Sequence, residues 1–341
     1  MRVSLKQVAA AGGVSITAAS QILRREGRFA TATRDRVLAV AAELGYRPDP
    51  VLSSLAARSF RQTQQTRGAG LVYITQLPKP YPYKRVRFHA EAKAVAESVG
   101  YRWQHVDLAA ISDLRRRLRL WPTQGVRGLI LGQEAVGLFL EEADCQLPVI
   151  FLGSLHPSRS FHLVQYDVER SVEMVWEQVL AAGYRRIGAA PMRHPVEISD
   201  DRVRLGLCTR HGALLPAVDR IPVCDAPFLD FEAFAAWYRR HRPEVVIGFN
   251  NLQLYYLQRL GVRVPDEVSF VSLNEEEDDQ TVTGCFQSNT ELARNAVVLV
   301  DTLIRAGDRG RPATPIRTLV SPQWIPGTTL RPRRPEPKGS G

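Results

Sequence analysis

The sequence predicts a two-part chain: an all-α head carrying a helix-turn-helix, then an α/β body of two doubly wound units with parallel sheets. Three observations predict it. Residues 4–23 place apolar side chains at helical spacing on both sides of a Gly12-Gly13 break. From residue 69 onward, short apolar strands alternate with helices. Charge is also unevenly placed: residues 1–68 hold 11 Lys/Arg against 4 Asp/Glu, residues 331–341 hold 4 against 1, and the 262 residues between hold 30 against 30. A neutral body with a basic head points to a polyanionic partner for the head alone.

In the head, Leu5, Val8 and Ala9 precede the break, and Ala18, Ala19, Ile22 and Leu23 follow it. Ser4 and Ser15 stand where N-caps belong, because a short hydroxyl side chain accepts from the first unpaired helical N–H groups. Glycine tolerates the positive φ of a tight helix–helix turn. Two such helices make either an ordinary helical hairpin or a helix-turn-helix, in which the N-terminal end of the second helix enters the DNA major groove. The basic excess favours the second. Arg24-Arg25-Glu26-Gly27-Arg28 reads as a loop. A third helix is expected from Thr31 to Leu44, with Val37, Leu38, Ala41 and Leu44 as its apolar face, Gly45 as its cap and Pro48 as its stop. The head spans 1–48, a core that is marginal on its own.

Residues 49–60 read as a hinge helix. Asp49 can cap and Pro50 suits the first helical position, but fewer than three turns are unstable alone in water. With Val51, Leu52 and Leu55 apolar, the segment either folds only beside its twin on DNA or packs permanently on the head. Residues 61–68 form a polar linker, and the body spans 69–330. Strands are expected at Ala69–Thr75, Tyr101–Val106, Gly128–Leu131 and Pro148–Leu152, with helices at Phe88–Val99, Ser112–Leu120 and Gly137–Cys145. A second series runs through helix Glu169–Ala182, strand Arg186–Ala190, helix Asp200–His211, strand Arg220–Val223 and helix Phe231–His241. It continues through strand Val245–Phe249, helix Gln253–Leu260 and strand Val268–Leu273. A helix over Glu291–Ala306 and a strand near Ile316–Val320 close the body. The first lobe is expected at about 69–163 plus 285–320, the second at about 164–284 plus 321–330. Ligands of paired open sheets bind at the carboxyl ends of the strands, here in the cleft between the lobes. The tail 331–341 reads as basic and disordered, and it lacks the leucine heptads of a coiled coil.

No run of about 18 apolar residues is present, so no transmembrane helix is expected. Lys6 and Gln7 interrupt any signal-peptide core. Cys145, Cys208, Cys224 and Cys285 are far apart and read as reduced core thiols. No GxGxxG, P-loop or G-x-S-x-G occurs, so neither catalysis nor a cofactor is expected. The acidic run Glu275–Asp279 lacks His, Cys and calcium-loop spacing, and reads as a solvated loop without metal.

Several segments share the order and spacing of one family. In the head they are Leu5-Lys6-Gln7-Val8-Ala9, Gly13-Val14-Ser15, Ser20-Gln21-Ile22-Leu23, Thr33-Arg34-Asp35-Arg36-Val37-Leu38 and Glu43-Leu44-Gly45-Tyr46-Arg47-Pro48. Beyond it come Ser54-Leu55-Ala56, Ala182-Gly183-Tyr184-Arg185-Arg186-Ile187-Gly188 and Val264-Pro265-Asp266-Glu267-Val268-Ser269. Along nearly its whole length the chain resembles the LacI/GalR family of bacterial transcription regulators. The resemblance implies a lambda-repressor-like head and a periplasmic-binding-protein-like sensor. It also implies a cytoplasmic, nucleoid-associated homodimer on a pseudo-palindromic double-stranded operator, with no membrane partner. The expected function is that of a repressor whose operator affinity responds to a small polar, sugar-like ligand. An activator, or a ligand-independent regulator with a vestigial cleft, is the alternative.

The same resemblance places Ile16, Thr17 and Gln21 on the bases. The chemistry fits: Gln bonds adenine bidentately, Thr reaches several bases and Ile touches a thymine methyl. Gln21 stands where the family commonly has Arg, which implies a different half-site. Ser4, Ser15, Ser20, Arg24 and Arg28 are the implied phosphate contacts. Val51, Leu52, Leu55 and Ala56 form the implied minor-groove hinge, with Leu55 as the wedge that kinks the duplex. For the ligand, the resemblance implies Arg204, Asn250, Asn274, Glu275 and Tyr81, which could hold hydroxyls or a carboxylate. The proline-rich loop Gln76–Tyr83 and the pair Gly153-Ser154 depart from the family pattern.

Overall fold

The computed structural model describes residues 5–23, 29–46, 68–75, 86–132, 145–153, 160–194, 198–227, 229–275 and 280–333. The chain divides into two compact units, Met1–Arg67 and Gly68–Gly341.

The first unit contains helices α1 (Leu5–Ala11), α2 (Ile16–Leu23) and α3 (Thr31–Glu43). Val8, Ala9, Ala19, Ile22, Val37 and Ala41 form its buried core, flanked by Val14, Leu23, Phe29, Val40 and Tyr46. The turn between α1 and α2 is glycine-dependent. Gly13 adopts φ +65°, and the N–H groups of Gly12, Gly13 and Val14 bond back to Val8, Ala10 and Ala9. A Cβ at buried Gly12 would lie 3.1 Å from both Val37 Cγ2 and the Val8 carbonyl, so a bare backbone lets α3 approach. Arg36 of α3 donates its Nε to the Gly12 carbonyl at 3.1 Å, which satisfies an end of α1. The expected apolar face of α3 needs correction. Val37 and Ala41 are buried, whereas Leu38 and Leu44 are 41% and 39% exposed. Leu38 lies about 100° around the helix from Val37, beyond the arc that α1 and α2 cover, and Leu44 is already the C-cap.

The second unit holds two sheets. The first has strand order β10-β5-β4-β3-β1-β2. It comprises β1 (Gly70–Thr75), β2 (Arg102–Asp107), β3 (Val126–Leu131), β4 (Val149–Leu152), β5 (His162–Tyr166) and β10 (Arg317–Val320), all parallel. Helices α4 (Val86–Ser98) and α10 (Asn289–Ala306) cover one face through Ala92, Ala96, Ala293, Val297 and Val300. Leu118 of α5 (Leu114–Leu120) and Trp121 cover the other. With both faces covered, β1, β3 and β4 read as nearly continuous apolar runs rather than alternating ones.

The other sheet has order β11-β9-β8-β7-β6. Its strands are β6 (Ile187–Ala190), β7 (Val245–Gly248), β8 (Ser269–Glu275), β9 (Thr283–Phe286) and β11 (Gln323–Pro326); only the β11–β9 pairing is antiparallel. Val172, Val175, Trp176 and Val179 of α6 (Val168–Ala181) and Cys208 of α7 (Ser199–Leu214) pack on one face. Phe234 and Tyr238 of α8 (Phe231–His241) and Tyr256 and Leu257 of α9 (Asn251–Arg259) pack on the other. The four cysteines are buried thiols; burial pushes those of Cys208, Cys224 and Cys285 up to about 12.

Three body expectations change. The lobe boundaries shift, because β5 extends the first lobe to Tyr166 and β9 puts Cys285 and Phe286 in the second sheet. The chain crosses between lobes at β5–α6, β9–α10 and β10–β11, where Tyr166 donates to Asn289 Oδ1 at 2.8 Å and Gln287 to Ser171 Oγ at 3.3 Å. Arg220–Val223 is not a strand; Pro222 cannot donate to a ladder. The tail is not free at its start: Arg331 pairs with Asp266 at 2.7 Å, while Arg333 pairs with Glu244 and donates its N–H to Ala182. Residues Gly137–Cys145 carry an expected helix that, up to residue 144, lies outside the described residues.

Candidate nucleic-acid interface and ligand cleft

In α2, Ala19 and Ile22 point into the core and Leu23 packs against it. At about 100° per residue, positions 17, 20 and 21 lie away from that side, and position 16 borders it at the helix's first turn. Ile16 is 48% exposed, although it is large and apolar, and Gln21 is half-buried. Ser15 accepts the Ala18 N–H at 3.1 Å and so caps α2; its hydroxyl hydrogen remains available to donate. Of the implied DNA contacts, Ser4, Arg24, Arg28, Val51, Leu52, Leu55 and Ala56 lie outside the described residues, and Thr17 and Ser20 are placed by helix register alone.

In the second lobe, chemistry gathers at the carboxyl ends of β6, β7 and β8. His194 follows β6, Phe249 and Asn250 follow β7, Asn274 and Glu275 end β8, and Arg204 stands in an early turn of α7. Arg204 Nη2 donates to Asp201 Oδ1 at 2.8 Å. His194 meets the same carboxylate twice, with Nδ1 2.8 Å from Oδ1 and its backbone N–H 2.9 Å from Oδ2. The Arg204 guanidinium lies 4.5 Å over the Phe249 ring centroid, and the His194 ring stands edge-on to that ring at 5.2 Å. Arg204 and Asp201 are only 6% and 5% exposed as side chains, so each charge is tolerable only because the other is there. Burial pushes the Asp201 carboxyl up, but the bonds from His194 and Arg204 outweigh it and hold the group below the usual carboxylate range.

Two buried donors here have no acceptor among the described residues: Arg204 Nε and Gln253 Nε2. Gln253 is fully buried, and its Oε1 accepts the Asn250 N–H at 3.2 Å. Asn250 Oδ1 accepts the Leu252 N–H at 3.0 Å, completing a capping box on α9. The carboxamide oxygen of Asn250, implied as a ligand residue, is therefore committed to the helix. Asn274 is half-buried and uses its N–H on Ser272 Oγ. Glu275 is 2% exposed at the end of β8, which corrects the reading of Glu275–Asp279 as solvated; 276–279 and Tyr81 lie outside the described residues. Sequence reasoning missed Asp201, His194 and Gln253. Two of them left a signal: an acid three residues before a helical arginine, and a glutamine three residues after an N-cap.

The fold defines a class: a helix-turn-helix reader joined to a two-lobed, periplasmic-binding-protein-like body. Residues 4–49 match the family model of the bacterial regulatory proteins of the lacI family. The chain is 23% identical to the HTH-type transcriptional repressor PurR of Photobacterium profundum over 286 residues, 79% of this chain and 80% of that one. It is 27% identical to the sucrose operon repressor of Escherichia coli over 193 residues, 54% of each. The crystal structure of the lac repressor dimer bound to operator and the anti-inducer ONPF shares the fold at TM-score 0.56 and 18% identity, over 96% of this chain and 99% of that one. The structure of the transcriptional regulator CelR in complex with cellobiose does so at TM-score 0.55 and 16% identity, over 96% of this chain and all of that one. Residues 4–49 thus carry a lacI-family head, and along most of its length the chain is similar to transcription regulators of that family. These relatives are regulators rather than enzymes, and among the described residues no helix is long and apolar enough to cross a membrane.

Proposed function

We propose that the protein is a homodimeric repressor that binds a pseudo-palindromic operator and loses or gains that grip when a small polar, sugar-like molecule enters the interlobe cleft. DNA reading is assigned to Ile16, Thr17 and Gln21, phosphate anchoring to Ser4, Ser15, Ser20, Arg24 and Arg28, and the minor-groove wedge to Leu55 within Val51–Ala56. The observation that carries the sensing part is a pair of buried donors without an acceptor among the described residues, Arg204 Nε of α7 and Gln253 Nε2 of α9. Proteins rarely strand buried donors, and a ligand oxygen would satisfy them. A ligand that favours one relation of the lobes shifts the population competent for DNA. Selection of bound duplex from a random pool supplies the operator. Titration of that operator with and without a panel of sugars then tests sensing: affinity unchanged across the panel favours a vestigial cleft, and failure to enrich any sequence refutes operator binding.

A further inference from the structure

We infer that Asp201 sets the charge of the cleft's ligand, so that the pocket accepts an uncharged molecule bearing oxygen acceptors and rejects a carboxylate or phosphate. This rests on the ligand-sensing reading of the cleft. A buried guanidinium by itself is an anion receptor, because its fork matches a carboxylate or phosphate edge. Here that role is already filled from within the chain. Asp201 Oδ1 takes Nη2 of Arg204 at 2.8 Å, three residues away on the same helix, with both side chains nine-tenths buried. His194 clasps both oxygens of the same carboxylate, and Phe249 covers the guanidinium face. The carboxylate is therefore fixed and cannot swing away to admit a ligand anion.

What remains is hydrogen-bonding capacity without net positive charge. Arg204 Nε and Gln253 Nε2 are donors, both buried and both lacking an acceptor among the described residues. With the guanidinium charge already matched by Asp201, an added anion meets no net positive charge, whereas hydroxyl, carbonyl or ether oxygens satisfy the two donors at no electrostatic cost. Asp201 is thus a specificity-determining residue acting through Arg204. The sequence leaves hydroxyl and carboxylate ligands open; the Asp201–Arg204 contact closes the second.

The test uses the full chain and inorganic phosphate as the probe, by isothermal titration and ³¹P line broadening at matched ionic strength. The wild type is expected to show no saturable phosphate site that depends on Arg204. Asp201→Asn, which keeps the shape but removes the charge, is expected to bind phosphate at least about tenfold more tightly. That gain should vanish in the Asp201→Asn/Arg204→Gln double variant. Asp201→Ser replaces Asp201→Asn if melting shows that the latter does not fold. A folded charge-removed variant that gains no phosphate affinity overturns the inference. So does wild-type phosphate binding that Arg204→Gln abolishes. A sugar panel that leaves operator affinity unmoved, together with phosphate gain in Asp201→Asn, would sink the sensing reading and leave the charge assignment standing.

Discussion

Gln21 and Ile22 are adjacent on α2, and the proposed function gives them opposite jobs. Ile22 is 0% exposed within the core that α1, α2 and α3 share. Truncating such a residue to alanine costs about 2–5 kcal/mol, through lost transfer energy and the cavity left behind. A head of this size holds roughly 2–7 kcal/mol in all. Ile22→Ala should therefore lower the head's melting midpoint by about 10–40 °C or unfold it outright, while the body's transition stays put. Binding then weakens in proportion to the folded fraction, equally for operator and random duplex. Gln21 is half-buried on the opposite arc, and alanine is at least as good a helix former. Gln21→Ala should leave the head's midpoint within a few degrees, yet cost about 1–3 kcal/mol of discrimination, roughly 5- to 150-fold, against the selected operator alone. Calorimetry of the full chain and fluorescence anisotropy with selected and scrambled duplexes make the measurement. If Gln21→Ala melts the head as Ile22→Ala does, or leaves operator preference intact, the assignment of faces on α2 is wrong.

Other outcomes follow from single contacts. A Cβ at Gly248 would lie 2.6 Å from Phe270 Cε2 and 3.0 Å from Gln253 Cβ, so Gly248→Ala should destabilise the body by about 1–3 kcal/mol and displace Gln253. A lower body midpoint by calorimetry checks this, and an unchanged midpoint refutes it. His162 is buried, and its Nδ1 accepts the Ile316 N–H at 3.1 Å; burial holds its pKa below 6.5, with Asp308 opposing in part. The unfolded chain then takes the proton first, so this contribution is intact above pH 6.5 and is lost as pH falls below it. His162→Asn should make the body's midpoint-versus-pH curve shallower in that window, where His89, His211 and His241 are also lowered by burial, whereas the lowered carboxyls of Asp201 and Glu244 act only in the more acidic range below about 4.5. Leu55→Ala should weaken operator binding while leaving the body's melting unchanged; equal affinity in titration would reject the wedge role.

Local signals made much of this fold legible. The Gly12-Gly13 break, Ser15 as a cap and the change from helical to alternating strand–helix pattern are properties of neighbouring residues, which the chain itself encodes. What the sequence could not determine depends on partners far along the chain. Leu38 and Leu44 look like core until the arc covered by α1 and α2 is known. Strands β9 and β11, TGCF and QWIP, lack the apolar runs that mark the equally short β4 and β7, and only their pairing with each other and with β8 makes them strands of the second lobe. Asp201 and His194 look like ordinary polar residues in sequence. Tertiary packing strips water from them beside Arg204 and Phe249, and only then does a carboxylate decide what charge the cleft can hold. Periodicity and capping are short-range physics; desolvation and strand partnership exist only once distant segments meet.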